Sequence, residues 1–417
     1  MKTFVKDYDM NTSIMEEYRK LGANKALNMF YDLADMEAKI CDMKLAAEKS
    51  YLYFQIKEVI EEFYDIGTVK EIYEIFGGYV NRSFGIYTEK DGQRQTWFFR
   101  KYMRNKDLNE LILEHKLLTY ARAQGFDRGA LPIPGKDGNT YYDRDQKMEN
   151  GEYEKYYFAV YEFIEGDPAY DWINNKMAPA SYNSIAKLLA ELHNAVRDFD
   201  PEKYERAESR IDGLMREWPT TFQNWSDAYA KAGVDNEYTQ YFAAELPYIK
   251  SVCKDVFIPE EDLKKMPVCP LQCDFHPGNV KYDKDLLVTG IYDFDWAKMD
   301  IRLFEFGLGM VYFFSSWDAA SNGVMDMDGI VEFINTYNAE LKKLGGLAPI
   351  GELEKKYLYE LLIMGNMYLV KWCSEAFYLD MTLPSYEYRY YMQHQVSGLK
   401  WLQNNEEAVR ALIEKIK

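Results

Sequence analysis

The sequence predicts an α+β protein in which a small antiparallel sheet follows a helical N-terminal extension and precedes a mostly helical region. Segments rich in aromatic and β-branched residues, separated by turn residues, recur from Val69 to Ile164. Apolar residues follow helical spacing in most of the chain after Gly166, for example in 181–196. The same spacing occurs in 11–64, a stretch without proline.

This order of elements divides the chain into three parts. A chain of 417 residues is longer than one compact core usually needs. We predict a helical extension at 1–65, a sheet-containing part at 66–165 and a helical part at 166–417. The apolar stripe of the extension either caps the sheet or forms a homodimer contact, and the sequence leaves both roles open.

Charge and cysteine content exclude several classes of protein. The net charge of −18 argues against a general nucleic-acid binder, which needs a basic surface to neutralise phosphates. The five cysteines are scattered and form no Cys-x-x-Cys pair, so neither a disulfide framework nor a zinc site is expected. The N-terminus lacks a signal-peptide pattern, and no apolar run approaches the ~20 residues of a membrane helix. We predict a cytoplasmic protein without membrane contact.

The segment from Pro270 to Gly309 carries the candidate chemistry, because two apolar runs, Pro267 to Leu271 and Leu286 to Tyr292, each lead into a polar tip. The tips carry four candidate residues, Asp274 and Asn279 on the first and Asp293 and Asp295 on the second. Phosphoryl transfer uses such a set. One carboxylate accepts the hydroxyl proton of the acceptor, while the amide and the other carboxylate hold Mg²⁺ on the nucleotide phosphates.

The sequences at these two tips are Asp-Phe-His-Pro-Gly-Asn and Tyr-Asp-Phe-Asp. They resemble the motifs of the aminoglycoside phosphotransferase and choline kinase-like family of small-molecule kinases. The resemblance covers roughly residues 66 to 400. It implies a two-lobed protein kinase-like fold and the phosphorylation of a small-molecule hydroxyl by ATP or GTP with Mg²⁺. The first block of the family usually opens His-Gly-Asp. Gln272 and Cys273 stand there in this chain, so the bracing role of that His does not carry over directly.

The resemblance also implies where the nucleotide binds. Arg100 corresponds to the cation that binds the α- and β-phosphates, and Glu114 to the carboxylate that pairs with it. Glu162 and Ile164 lie in the segment that holds the adenine through main-chain groups. Asp295 supports the second tip or a second ion. A glycine-bearing loop between two strands covers the phosphates and contains Gly77, Gly78, Asn81, Arg82 and Ser83.

Two further expectations concern the helical part. Arg302 is expected to brace the loop that carries Asp274 and Asn279, here called the catalytic loop, through an ion pair with Glu305 or Asp300. Family members bind their acceptors with the last helices, and the negative charge of this chain is compatible with a cationic acceptor such as an aminoglycoside or an amino alcohol, although a sugar also remains possible.

Two other interpretations of the chain stay open. The first is a catalytically silent kinase fold that serves as a nucleotide-binding or regulatory module. The second is a kinase that acts on protein, although the Ala-Pro-Glu signature of protein kinases does not follow Asp293.

Overall fold

The computed structural model describes five parts of the chain, residues 52–75, 81–102, 106–147, 151–379 and 383–417. Most of the predicted N-terminal extension, up to residue 51, lies outside the described residues, as do Gly77 and Gly78 of the predicted phosphate loop. Within the described ranges, every helix is too short or too polar to span a bilayer.

A five-stranded antiparallel sheet forms the first part of the described chain, with the strand order β1-β2-β3-β5-β4. Its strands are Thr68–Ile75 (β1), Arg82–Lys90 (β2), Gln93–Lys101 (β3), Tyr142–Lys147 (β4) and Tyr153–Glu162 (β5). The tight turn between β2 and β3 is formed by Asp91 and Gly92, both of which have positive φ, as the turns of two-residue hairpins require.

Helices make up most of the remaining structure. The described helices are residues 52–63 (α1), Leu108–Ala123 (α2), Pro179–Val196 (α3), Ile211–Ala232 (α4), Glu237–Asp255 (α5), Glu260–Leu263 (α6), Arg302–Phe314 (α7), Met327–Leu344 (α8), Glu352–Leu379 (α9), Ser385–Asn404 (α10) and Glu406–Ile413 (α11). Helix α1 packs its buried residues Ile56 and Ile60 against Phe84 and Phe99 of the sheet, so it belongs to the core of the sheet-containing part.

Two short antiparallel strand pairs carry the polar tips that the sequence predicts. The strands are Val268–Leu271 (β6), Val280–Tyr282 (β7), Val288–Ile291 (β8) and Lys298–Ile301 (β9), with β6 paired to β9 and β7 to β8. Each predicted apolar run is therefore a strand, although the two runs do not pair with each other.

Helices α7 and α9 cross closely behind these strand pairs. A Cβ atom built on Gly307 would lie 2.2 Å from the carbonyl oxygen of Leu361, and one on Gly365 would lie 2.2 Å from the carbonyl oxygen of Gly307. Real Cβ contacts are never this short, so the two backbones approach each other only because both positions are glycine. This crossing fixes α7 against residues 272–279, the loop that the sequence predicts to be catalytic.

The expected ion pair of Arg302 with Glu305 or Asp300 is wrong. The buried guanidinium of Arg302 binds Glu354 through Nε at 3.0 Å and Nη2 at 2.5 Å. Asp300 instead pairs with Lys298 at 3.1 Å. The cause is the direction of α7. Arg302 begins this helix and its side chain reaches α9, whereas Glu305, one turn later, reaches the catalytic loop.

Candidate active site

A buried carboxylate holds the backbone of the catalytic loop. Glu305 accepts hydrogen bonds from the backbone N–H groups of Gln272 at 2.7 Å and Cys273 at 3.0 Å. Cys273 has a φ of 59°, in the left-handed region that non-glycine residues seldom adopt. The family pattern has glycine at this position, and the two bonds from Glu305 offset the strain that Cys273 introduces.

Gln272 joins the two polar tips. Its side-chain oxygen accepts the backbone N–H of Asp274 at 2.9 Å. Its side-chain nitrogen donates to the carbonyl oxygens of Asp293 at 2.6 Å and Tyr292 at 3.3 Å. A primary amide carries a donor and an acceptor at once, so it can bond to both tips. Gln272 therefore connects the two tips, the bracing role that the family's His usually has.

Asp274 belongs to the first tip, and one oxygen of its carboxylate is hydrogen-bonded within its own loop. The side-chain nitrogen of Asn279 donates to Asp274 Oδ2 and to its carbonyl oxygen, both at 2.9 Å. His276 Nε2 lies 3.5 Å from the same Oδ2 atom. The other oxygen, Oδ1, lies 3.5 Å from the hydroxyl of Tyr312. Oδ1 thus lacks the close amide partner of Oδ2 and faces the tyrosine.

Asp293 and Asp295 form the second half of the site. Arg100, only 3% exposed, donates from Nη1 to Asp293 Oδ1 at 2.9 Å. Burial raises the pKa of Asp293 well above its usual range, with Arg100 opposing the shift and Asp295 adding to it. Burial alone would also raise the pKa of Asp295, but Lys106 and Arg100 outweigh it, so that this pKa lies below its usual range.

The main chain at Asp295 is held from two directions. Lys106 Nζ, which precedes α2, donates to the carbonyl oxygen of Asp295 at 2.8 Å, and Arg206 Nη1 donates to the same oxygen at 3.3 Å. Both cations also bind Glu110, at 3.3 and 2.9 Å respectively. The side chain of Asn81 donates to Asp295 Oδ2 at 2.6 Å, which connects the end of the predicted phosphate loop to this tip.

Glu114 lies close to Arg100, as the predicted pair requires, but at a longer distance than Asp293. Its Oε1 atom is 3.8 Å from Arg100 Nη1 and accepts the hydroxyl of Tyr161 at 3.0 Å. Its Oε2 atom accepts the hydroxyl of Tyr102 at 3.1 Å. Burial raises the pKa of Glu114, and Arg100 opposes that shift. Glu114 therefore belongs to a buried hydrogen-bonded cluster that supports Arg100 from behind.

One cavity of about 480 Å³ brings most of the predicted site residues together. Its wall includes Asn81, Ser83, Arg100, Asp274, Asn279, Asp293 and Asp295. A mostly apolar cleft adjoins it and shares Arg100 and Asp293 with it. The walls of this cleft include Ile75, Phe98, Leu118, Ala130, Ile164 and Phe294, a lining that suits a flat heterocycle.

Three other residues of the predicted site lie outside the wall of the larger cavity, namely Arg82, Glu162 and Ile164. The guanidinium of Arg82 binds Glu74 at 2.7 Å across the β1–β2 pair, and Arg82 is not part of the cavity wall. Glu162 and Ile164 line the apolar cleft. The N–H of Glu162 already donates to the carbonyl oxygen of Leu131 at 2.9 Å, which leaves the Glu162 carbonyl as its main-chain group for a ligand.

The donor set at the tips fits a hard divalent cation. Asp295 supplies a buried carboxylate, and Asp293 supplies one whose side chain is 27% exposed. Asn279, whose amide nitrogen donates to Asp274, offers its amide oxygen. All are oxygen ligands of the kind that Mg²⁺ and Ca²⁺ prefer. No group of three or more His, Cys, Asp or Glu side chains suited to a metal occurs among the described residues, so the amide would complete this set.

The sequence did not indicate the roles of Lys106 and Arg206, and it assigned Glu305 a different partner. Lys106 and Arg206 hold the Asp295 carbonyl, and Glu305 holds the catalytic loop instead of pairing with Arg302. Each acts on a partner far away in the chain, and no local motif marks such a role. A buried carboxylate early in the apolar helix α7 is the one signal that points to Glu305, because an ionised group in such a place needs partners.

Comparisons with known proteins agree with this geometry. Residues 72–332 match the phosphotransferase enzyme family, APH. The chain is 23% identical to a homoserine kinase of Ralstonia nicotianae over 291 residues, which are 67% of this chain and 74% of that protein.

Solved structures show the same fold. Amicoumacin kinase in complex with AMP-PNP, Ca²⁺ and Ami superposes with a TM-score of 0.56 at 12% identity, over 86% of this chain and 96% of that one. Choline kinase from Cryptosporidium parvum Iowa II gives a TM-score of 0.53 at 11% identity, over 82% and 92% of the two chains. The predicted α+β, protein kinase-like fold is confirmed by these likenesses together with the sheet and helices described above.

Proposed function

The chain belongs to the phosphotransferase enzyme family APH and is a small-molecule kinase, and we propose that it transfers the γ-phosphoryl group of ATP or GTP to a hydroxyl of a small, amine-bearing acceptor. The observation that supports this most is the convergence of Asp274 and Asn279 with Asp293 and Asp295 on one cavity, beside Arg100. An apolar cleft opens next to them.

Asp274 is proposed as the residue that takes the hydroxyl proton. Asn279 holds Oδ2, so Oδ1 is the oxygen left to accept the proton of an acceptor hydroxyl. As the proton moves to Asp274, the acceptor oxygen bonds to the γ-phosphorus, and the bond from that phosphorus to the bridging oxygen breaks. The nucleoside diphosphate leaves with the electron pair of the broken bond.

Asn279 and Asp293 are proposed to hold Mg²⁺, with Asp295 in support. A bound Mg²⁺ would neutralise charge on the nucleotide phosphates. Arg100 is proposed to bind the α- and β-phosphates, supported by Glu114, while the loop that ends at Asn81 and Ser83 covers the phosphates. Arg82 contributes to this loop through its ion pair with Glu74.

The proposal also covers the binding of the nucleotide base in the apolar cleft and the boundary between the two lobes. The carbonyl of Glu162 and the backbone of Ile164 are proposed to bind the base edge. We place the boundary between the two lobes near Gly166, which has a φ of 124° and lies close to the carbonyl oxygen of Tyr282.

The preference for an amine-bearing acceptor is supported by the net charge of −18 and by the choline and homoserine kinases among the similar proteins.

A mass-spectrometric screen tests the proposal. Purified protein is incubated with Mg²⁺ and ATP or GTP against pooled amino alcohols, amino sugars, sugars and nucleosides, and the readout is the mass gain of one phosphoryl group. We expect a gain that falls by about 10²- to 10⁴-fold in rate in Asp274→Asn, since a general base contributes about that much.

Nucleotide titration separates the alternatives. Asp274→Asn is expected to bind Mg-ATP as the wild type does, and removal of Mg²⁺ with EDTA is expected to weaken ATP binding in both proteins. Wild-type rates in Asp274→Asn would refute the assignment of the base. Tight nucleotide binding without any phosphoryl transfer would instead favour the catalytically silent module.

A further inference from the structure

Four aromatic side chains form a box in the same cavity as Asp274. The residues of this aromatic box are Trp172, Tyr312, Trp372 and Tyr391. The ring of Tyr391 lies 4.7 Å from that of Trp172 and 6.3 Å from that of Trp372, measured between centroids. The hydroxyl of Tyr312 lies 3.5 Å from Asp274 Oδ1. Tyr312 therefore lies beside Asp274, and the other three rings line the same cavity as both.

Helix α10 places a polar group beside the rings. Tyr391 and Gln395 lie one turn apart on this helix, so both side chains project from the same face, and both line the cavity. Gln395 is only 3% exposed, and its Oε1 atom is buried and has no hydrogen-bond partner. An unsatisfied buried acceptor is costly in a folded protein, and a ligand that donates a hydrogen bond removes that cost.

Charged groups near the box are already engaged. Lys371 binds Glu375 at 2.7 Å and Glu208 at 3.3 Å. Asp171 accepts the backbone N–H groups of residues 173 and 174, at 2.8 and 2.6 Å. Both of these bonds end on Oδ1 and leave the negative charge of Asp171 in place. Besides Asp274, Asp293 and Asp295, Asp171 is therefore the single carboxylate that the described residues of this wall offer, fewer than a polycationic acceptor needs. The aromatic faces and one amide oxygen suit a single ammonium group better.

We propose that Gln395 is a specificity residue that accepts a hydrogen bond from an N–H group of the acceptor molecule. The acceptor is a compact amino alcohol with one primary or secondary ammonium group, and its carbon frame packs in the aromatic box. A quaternary ammonium compound offers positive charge to the rings but no N–H to Gln395, so it binds more weakly. This inference rests on the proposed function, because it assigns the acceptor of that reaction.

A matched pair of probes tests the proposal. The probes are 2-amino-1-phenylethanol and its N,N,N-trimethyl derivative, which differ only in the N–H donors and the methyl groups. Binding to the wild-type protein is followed by tryptophan fluorescence, since three tryptophans, Trp172, Trp296 and Trp372, line the cavity. We expect the primary amine to bind at least about tenfold more tightly than the trimethyl compound, the effect of one satisfied buried hydrogen bond.

Substitutions at Gln395 show whether this preference comes from the amide. Gln395→Met has a similar volume and no acceptor oxygen, and we expect it to abolish the tenfold preference. Gln395→Glu keeps the acceptor and adds charge, so it is expected to retain or increase the preference. Gln393→Met, on the exposed side of the same helix, is the control and should behave as the wild type.

The possible outcomes separate this inference from the proposed function. An unchanged preference in Gln395→Met, or no binding of either probe at millimolar concentration, would overturn the inference. Asp274-dependent phosphorylation of sugars or quaternary amines alone would keep the kinase and also overturn the inference. Amine binding that depends on Gln395, without phosphoryl transfer to any acceptor, would support the contact and contradict the proposed function.

Discussion

Gln272 is one of two positions, with Cys273, at which this chain departs from the family pattern, and its side chain still joins the two tips. An imidazole at this position can brace two loops, and the amide of Gln272 does so with three hydrogen bonds to Asp274, Tyr292 and Asp293. Because an amide does not titrate between pH 5 and 8, this brace does not depend on pH over that range.

Replacement of Gln272 by leucine tests the brace. Gln272→Leu removes the three bonds at similar volume, and we expect kcat/KM for phosphoryl transfer to fall about 10- to 100-fold, because the two tips lose their mutual alignment. Gln272→His offers a donor and an acceptor and is expected to recover much of the rate. A histidine variant as slow as the leucine variant, with both equally stable to heat, would show that Gln272 does not position the tips.

The residues of the site differ in how well the sequence predicts them. Asp274, Asn279 and Asp293 stand at fixed spacing in short blocks, so local pattern is enough to find them. Glu305 acts on amides more than 30 positions earlier in the chain, and Lys106 acts across 189 positions. Such partners depend on how helices and strands pack, which local spacing does not encode. The wrong partner for Arg302 has the same origin.

At the scale of elements, the crossing of α7 and α9 is the tightest constraint near the site. The crossing requires glycine at both 307 and 365, because the backbone of each helix occupies the space of a Cβ atom on the other. Alanine is the better helix former by up to about 1 kcal/mol, so helix propensity alone would favour it at these positions. Packing therefore outweighs propensity here.

Gly365→Ala tests this balance. We expect the variant to lower the free energy of unfolding by about 1–3 kcal/mol, the usual effect of overpacking a core. The control is Gly351→Ala at the start of α9, where an added Cβ meets no atom within 4 Å. Urea unfolding measures both variants. Equal stability of the two would mean that the crossing relaxes freely.

Secondary structure was the more predictable level of the fold. The strands at 68–75, 82–90 and 93–101 begin at the start of the stretch, Val69 to Ile164, in which the sequence predicts strands, and helix 179–196 differs from the predicted 181–196 only at its start. The pairing of β6 with β9, rather than with the strand of the second tip, was not predictable. It depends on strand β9, which is short and carries two charged residues, so no apolar run marks it.

At the scale of the whole molecule, buried histidines connect stability to pH. Burial lowers the pKa of His394 to about 3. The ring stacks on Trp317 with centroids 3.5 Å apart, and its nitrogens bond to Ser315 at 2.8 Å and Asn322 at 2.6 Å. Between pH 6.5 and 3 the unfolded chain binds a proton at this histidine that the folded chain does not bind. Its contribution therefore destabilises the fold as the pH falls below about 6.5.

His394→Gln isolates this contribution. The wild type is expected to lose up to about 1.4 kcal/mol more per pH unit than the variant between pH 6 and 5, which corresponds to one proton. Urea unfolding of both proteins at pH 7, 6 and 5 measures the difference, and other titrating groups cancel in the comparison. Parallel curves would show that His394 has the same pKa in the folded protein as in the unfolded chain.

Helix α9 contains both Gly365, at the crossing with α7, and Trp372, in the aromatic wall of the cavity. Trp372 lies seven residues beyond Gly365, about 10 Å along the axis. Natural selection can therefore exchange side chains around position 372 while the crossing keeps the helix in place and Glu305 keeps the catalytic loop intact. A lineage with this architecture can change its substrate by a few point mutations and lose little of its catalytic apparatus.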